Sequence, residues 1–334
     1  ERSGKMPVLL KFPLSWPPTV RRGFQVDGAA GWGGMKCVWD LAYSSCFRTD
    51  VEAAAAGAPP RVGPSRWSTR DQDNLDEEAV RALVPHACEG WRGQTKGVAM
   101  AWDAELTLPL RHGVSGAPCH VAGVHTPGGP RLMIAPARDA AGATLLAPGE
   151  WSGWLAGRFR SEEGELAGHF RVKLMELDLG RRHCWLHVSQ VHRADGYTVP
   201  PSLAGELTAA VGPFPEWTES YDLLQGWIDH TTQLEIYAEH VRWMTDASQW
   251  LMKRYDWDLF MTHTHIIDMA QHIYWGAIDP AHPEYRAADA PRFWALLEET
   301  YKLADTMVAR ILATAGPDDL VLVIGDHGQD FYHT

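Results

Sequence analysis

Apolar positions recur at steps of three and four from Leu234 to Leu251. Leu234, Tyr237, Ala238, Val241, Met244, Ser248 and Leu251 fall on one side of a helix that ends near Arg254. A second helix begins at Pro291, a residue suited to a first helical turn. It runs through Trp294, Leu297, Tyr301, Ala304, Val308 and Ile311 to a stop at Gly316. Each helix leads into a short apolar run, residues 257–262 after the first and 320–324 after the second. Short runs without alternation predict strands buried on both faces, as in a parallel sheet. Helix then strand, twice over, predicts an α/β unit. Residues 7–12 predict another buried strand, closed by Pro13 and the Trp-Pro-Pro turn at 16–18.

Between about 97 and 195 the period changes. Residues 98–108, 119–124, 131–134, 168–177 and 184–191 read as short strands separated by Gly, Pro and Asp. In 168–177, Phe170, Val172, Leu174 and Glu176 alternate with His169, Arg171, Lys173 and Met175, which predicts one half-buried antiparallel strand. Residues 51–66 are rich in Ala, Pro and Gly and predict a surface loop, 74–94 are charged with weak helical spacing, and 199–215 is a Pro-rich connection. The fold class expected is α/β. A core with a parallel central sheet flanked by helices takes residues 1–50 and 216–334, and a β-rich cap or insertion takes 51–215.

Composition narrows the functions. The net charge of −12 over 334 residues argues against a nucleic-acid groove. No apolar run approaches the roughly 18 residues of a membrane span. Five cysteines without a CxxC pair predict thiols, not a disulfide framework or a cysteine zinc site, and favour a reducing compartment such as the cytoplasm. Residues 28–34 are glycine-rich but lack the Gly-Lys-Ser/Thr ending of a phosphate loop.

Two motifs carry candidate chemistry. Asp268 and His272 are four residues apart, so a helix from Ile267 would place both on one side, able to bind one ion. Asp326 and His327 are adjacent and precede Gly328, whose freedom lets the backbone splay both inward at a strand end. Alone, the first is more often a surface ion pair and the second a capped turn. Each behind its own apolar strand, they converge where α/β sheets gather ligands. Mixed carboxylate and imidazole donors suit zinc or manganese better than calcium. His263 and His265, at strand spacing beside the first motif, are candidates to bind substrate.

The stretch around Trp257, then Asp268-Met-Ala-Gln-His272 with Trp275 and Asp279-Pro280, resembles the alkaline phosphatase superfamily, in its type I phosphodiesterase/nucleotide pyrophosphatase-like branch. Val323-Ile-Gly-Asp326-His327-Gly328 looks like that family's second metal motif, with Gly325 where Ser is usual. Residues 12–18, 150–154 and 169–174 resemble other parts of it. The resemblance implies an alkaline-phosphatase-like core and two divalent ions, zinc or manganese. Asp268 and His272 would bind one ion, Asp326 and His327 the other. It implies a phosphohydrolase cleaving a small phosphodiester or phosphomonoester through a phospho-enzyme. A phosphomutase on the same site and a non-catalytic metal-binding homologue are the alternatives. The family's N-terminal Asp, its Thr/Ser nucleophile and its downstream His have no counterpart at matching positions. The chain is therefore expected to be a fragment that turns over little by itself.

Overall fold

The computed structural model describes residues 5–10, 23–26, 40–50, 80–93, 96–215, 221–283, 285–325 and 327–328. Seventeen strands follow in chain order among the described residues. The first five are β1 (Pro7–Leu10), β2 (Phe24–Val26), β3 (Asp40–Ala42), β4 (Ser45–Arg48) and β5 (Arg81–Ala82). Next come β6 (Ala99–Leu106), β7 (Ser115–Gly116), β8 (Cys119–Thr126), β9 (Gly129–Ala135), β10 (Thr144–Leu146) and β11 (Leu155–Ser161). The last are β12 (Gly164–Phe170), β13 (Val172–Asp178), β14 (His183–Val188), β15 (Val191–Arg193), β16 (Thr198–Val199) and β17 (Leu259–Thr262). The helices are α1 (Leu203–Val211), α2 (Tyr221–Leu224), α3 (His230–Arg254), α4 (Ile266–Ile278) and α5 (Ala290–Leu312).

The described residues divide into two compact units. One takes β1, β2 and everything from Asp195 onward; the other takes the described residues from Asp40 to Ala194.

The first unit holds one sheet, in the order β16-β2-β1-β17, with the five helices. β1 pairs in parallel with both β2 and β17, and β16 is antiparallel to β2. The start of β17 is tied to the start of β1: Met6 N and Lys5 Nζ both donate to the Asp258 carboxylate, at 2.9 and 2.7 Å. Val8 and Leu10 of β1 are fully buried, whereas no residue of β17 is. The expectation of a buried strand at 257–262 is thus corrected. Leu259–Thr262 is a half-buried edge strand, hydrogen-bonded to β1 on one side.

The run 320–324 is corrected further. It joins no sheet among the described residues, and its side chains are 42–86% exposed. Five apolar residues make a buried strand only when a neighbour accepts their backbone groups, and none of the described strands does so here.

Helix α3 forms as its periodicity predicts. Tyr237, Val241, Met244, Ser248 and Leu251 are buried, and Lys253 and Arg254 lie in the last turn, where the helix dipole favours cations. Its N-cap is Asp229, whose Oδ1 accepts from Thr232 N and Thr232 Oγ1, both at 2.7 Å. Asp229→Ala removes that cap and leaves two donors of the buried Thr232 without this acceptor. Stability should fall by about 1 kcal/mol, read as a lower urea midpoint at unchanged slope. An unchanged midpoint would show that the cap contributes nothing. In α5 the buried line is Leu297, Thr300, Ala304 and Met307, one step round from the expected face. Trp294 and Tyr301 are exposed, because α5 packs on α3 and α4 along that other line. Helix α1 lies inside 199–215, read from sequence as an irregular Pro-rich connection. Pro200 and Pro201 precede the first turn and Pro213 and Pro215 follow the last, so none interrupts the helix.

The second unit holds three sheets: β10-β9-β8-β6, β3-β15-β12-β11-β7 and β13-β14-β4-β5. All pairings in it are antiparallel except β4 with β5. Parallel pairing among the described strands is thus limited to β2-β1-β17 and β4-β5, within a mixed α/β structure. Trp102, Val121, Leu132, Ile134, Phe170, Val172, Leu174, Leu186 and Val188 make its core. The single strand expected over 168–177 is two strands in two different sheets, broken at Arg171. Two residues of the second face expected there, Arg171 and Lys173, are buried as well. Arg171 stacks its guanidinium 4.1 Å from the Trp151 ring, and Lys173 also lies over that ring. Aromatic faces let both cations leave bulk water at reduced cost. The weak helical spacing of 74–94 gives extended chain over its described part, 80–93, with β5 and a bridge from His86 to Asp103.

Cys46, Cys119 and Cys184 are buried and outside any disulfide, and Cys88 is partly buried. Burial pushes the Cys119 thiol up to about 11 and Cys184 further still, which keeps both protonated and unreactive at neutral pH. No helix among the described residues is long and apolar enough to cross a membrane. The readings of residues 12–18, 28–34 and 51–66 lie outside the described residues.

Candidate metal centre

The candidate site is built where β17 ends and α4 begins. β17 stops at Thr262, and three residues later His265 occupies the N-cap position of α4 without making a side-chain capping bond. Asp268 follows in the first turn, where the positive end of the helix dipole favours a carboxylate. His272 stands one turn on. The helix buries Ile266, Ala270, Ile273 and Tyr274. At 3.6 residues per turn Asp268 and His272 therefore point away from that core.

The helix that the Asp-x-x-x-His spacing required is present, and the two side chains meet. His272 Nε2 lies 3.3 Å from Asp268 Oδ1. That contact is an ion pair, not an aligned hydrogen bond. Oδ1 is buried and has no hydrogen-bond donor among the described residues. A buried carboxylate oxygen without an aligned donor depends on nearby positive charge for its stabilisation. Burial pushes the Asp268 carboxyl up, but the His272 imidazole and the charges of His265 and His327 outweigh it and hold it below the usual carboxylate range. Imidazoles from three places in the sequence thus act on one carboxylate.

His327 is exposed, and its Nδ1 lies 2.8 Å from the Gly328 carbonyl oxygen. A carbonyl can only accept, so Nδ1 carries a proton, and in the neutral imidazole Nε2 keeps its lone pair. In that tautomer Nε2 is the nitrogen able to ligate a metal. Asp326 lies outside the described residues, so its half of the second motif carries no geometry. His263 and His265 pack edge to face, with ring centroids 4.1 Å apart. Thr262 and Thr264 alternate with them, and each keeps a buried hydroxyl with no hydrogen-bond partner among the described residues. Among the described residues no group of three or more His, Cys, Asp or Glu side chains is arranged to hold a metal ion. Asp268 and His272, with one buried anionic oxygen lacking an aligned donor and a borderline nitrogen donor, fit half of such a set.

One residue beside this site escaped the sequence reading. The His282 ring lies against Gly276, one turn beyond His272 on the same side of α4. The available signals were the missing side chain four residues after His272 and the Asp279-Pro280 turn that reverses the chain.

Residues 170–333, just under half of the chain, match the family described as type I phosphodiesterase / nucleotide pyrophosphatase. The matched stretch begins at the end of β12 and includes α4 and both motifs. No curated protein and no solved structure gave a match. Over residues 170–333 the chain is similar to the type I phosphodiesterase / nucleotide pyrophosphatase family, consistent with the alkaline phosphatase superfamily.

Proposed function

We propose that this chain forms part of a metal-dependent phosphohydrolase acting on small phosphate esters. Asp268 and His272 would hold one divalent ion, and Asp326 and His327 a second, with zinc the first candidate and manganese the other. The observation that carries this is the buried Asp268 Oδ1, without a donor, 3.3 Å from His272 Nε2 at the head of α4. The family hydrolyses phosphodiester and pyrophosphate bonds, so phosphoester cleavage is the chemistry in keeping with such a carboxylate and imidazole pair. Bound divalent ions supply Lewis-acid stabilisation of charge on phosphate oxygens.

The chain's own residues have separate tasks on this reading. Asp268 contributes the negative charge, and α4 holds it at one rotation relative to His272. His327 is fixed in one tautomer by its bond to the Gly328 carbonyl and presents Nε2. His263 and His265 line the substrate side, where imidazole N–H groups can donate to phosphate oxygens. The first unit is read as an alkaline-phosphatase-like core, supported by its three parallel strands and flanking helices, and the β-rich unit as its insertion.

The test is hydrolysis of bis(4-nitrophenyl) phosphate by the full-length gene product, after chelation and after adding back zinc or manganese. Activity that vanishes with chelator and returns with metal is the expected result. Activity indifferent to chelator would overturn the metal-dependent reading. Run in labelled water, the same reaction separates hydrolysis, which places label in the product phosphate, from transfer to a second alcohol, which does not.

A further inference from the structure

Three rings meet where the start of α3 faces α4 and α5. His230 is the first residue of α3, Tyr274 lies on the buried face of α4, and Phe293 stands near the start of α5. The His230 and Tyr274 ring centroids are 5.6 Å apart, and Phe293 lies 5.7 Å from each, edge to face on His230. A polar contact crosses the junction, with His230 Nδ1 3.2 Å from the Tyr274 hydroxyl. Because α5 packs along both α3 and α4, that contact closes a triangle of three helices. One of them, α4, carries Asp268 and His272.

The contact depends on the protonation state of the imidazole. Tyr274 is fully buried. Burial, with the phenol of Tyr237 adding to it, pushes the Tyr274 hydroxyl far above the ordinary tyrosine range, so it keeps its hydrogen. A buried O–H needs an acceptor, and Nδ1 of a neutral imidazole is one. A protonated imidazole carries hydrogen on both nitrogens, so Nδ1 turns from acceptor to donor and the phenol hydrogen loses its place. The surroundings oppose that proton as well. His230 sits in the first turn of α3, where the helix dipole disfavours a cation. The charged and titratable groups acting on it are Asp229 at the N-cap of α3, Tyr274 of α4 and Arg292 of α5. Asp229 favours the proton, but it is exposed and its Oδ1 already accepts from Thr232. Burial foremost, and then Arg292, outweigh it and hold the imidazole below its ordinary value of 6.5.

We propose that the contact between His230 and Tyr274 is an acid-sensitive latch, closed while the imidazole is neutral and released when it takes up a proton, that fastens the start of α3 to α4. Release loosens the hold on the helix that carries Asp268 and His272. The latch does not depend on the phosphoesterase reading. The folded protein binds this proton less readily than the unfolded chain does. Its stabilising effect is therefore complete above pH 6.5 and is lost as the pH falls from there through the folded value.

The closing experiment compares the full-length gene product with its His230→Gln variant at about pH 8 and about pH 5, on either side of the histidine range. Glutamine keeps an acceptor for the phenol and cannot titrate, while the carboxylates common to both proteins contribute equally to each. Between the two pH values the wild-type Tm should fall about 2–4 °C further than that of the variant, the size of one buried hydrogen bond. Hydrogen exchange, corrected for the intrinsic rate at each pH, should show protection lost in the acid wild-type protein at the first turn of α3 and the last two turns of α4. Equal falls in Tm overturn the proposal, and so does protection lost evenly over the unit. If His230→Gln does not fold, magnetic resonance of histidine-labelled wild type decides, with the His230 signal assigned by its displacement in Tyr274→Phe. A titration midpoint below 6.5 upholds the latch, and one at or above 6.5 overturns it.

Discussion

Asp268→Asn will lower metal-dependent phosphoesterase turnover of the full-length gene product by about 100-fold or more, and His272→Ala will do the same. The asparagine keeps the shape of the side chain and removes the charge that the buried Oδ1 presents 3.3 Å from His272. A neutral amide oxygen is a poorer ligand for a divalent ion, so metal affinity, read by calorimetry, should fall in step with turnover. Folding should hardly notice. Both side chains lie on the side of α4 opposite Ile266, Ala270, Ile273 and Tyr274, and losing a first-turn carboxylate costs no more than about 1 kcal/mol. An Asp268→Asn protein with wild-type metal affinity and wild-type turnover would remove the proposed site. One that simply unfolds would assign Asp268 a structural role.

The second large effect concerns the β-rich unit. Trp102 of β6 is fully buried, and Gly123 of β8 stands directly against its ring in the pairing of these two strands. A Cβ at Gly123 would collide with the Trp102 indole and approach Leu179 Cδ2 to 2.7 Å. Trp102→Ala should therefore cost about 3–5 kcal/mol through lost burial and a cavity. Gly123→Ala should cost about 1–3 kcal/mol through overpacking. Together they should cost less than the sum, because the added methyl enters space that the indole has left. Urea unfolding of the four proteins measures this. Strict additivity would mean that the two positions do not share a contact.

The helices of the first unit are legible in the chain because each buries one continuous stripe, and a period of three to four residues records that stripe directly. For α3, Tyr237, Val241, Met244 and Leu251 suffice to place it. In α5 the period is right but the face is one step off, since Trp294 and Tyr301 are apolar enough to count yet meet Trp275 and Gln271 at the surface. The Asp268 and His272 pair is legible for the same reason as the helices, being set by spacing within a single element. Strands are harder. Hydrophobicity shows that a strand could be buried but not which neighbour covers it, so it places 320–324 inside, whereas the run is exposed. Alternation places Arg171 and Lys173 outside, yet both are buried, because the indole that covers them comes from Trp151, some twenty residues earlier in the chain. His282 belongs to the same class, since its place against Gly276 is made by a loop whose path no periodicity encodes.

The sheet of the first unit has a consequence for the order in which the protein is made. β1 takes β17 as its parallel neighbour, and the bond from Met6 N to the Asp258 carboxylate spans 252 residues of sequence. During synthesis β1 leaves the ribosome 252 residues ahead of that contact and has to wait for it. The described strands of the β-rich unit all lie between Asp40 and Arg193, so their partners emerge well before Leu259. Nascent chains stalled just before residue 259 should thus resist protease across β6 to β15 while β1 remains cleavable, and the Asp268 site would be assembled after the β-rich unit.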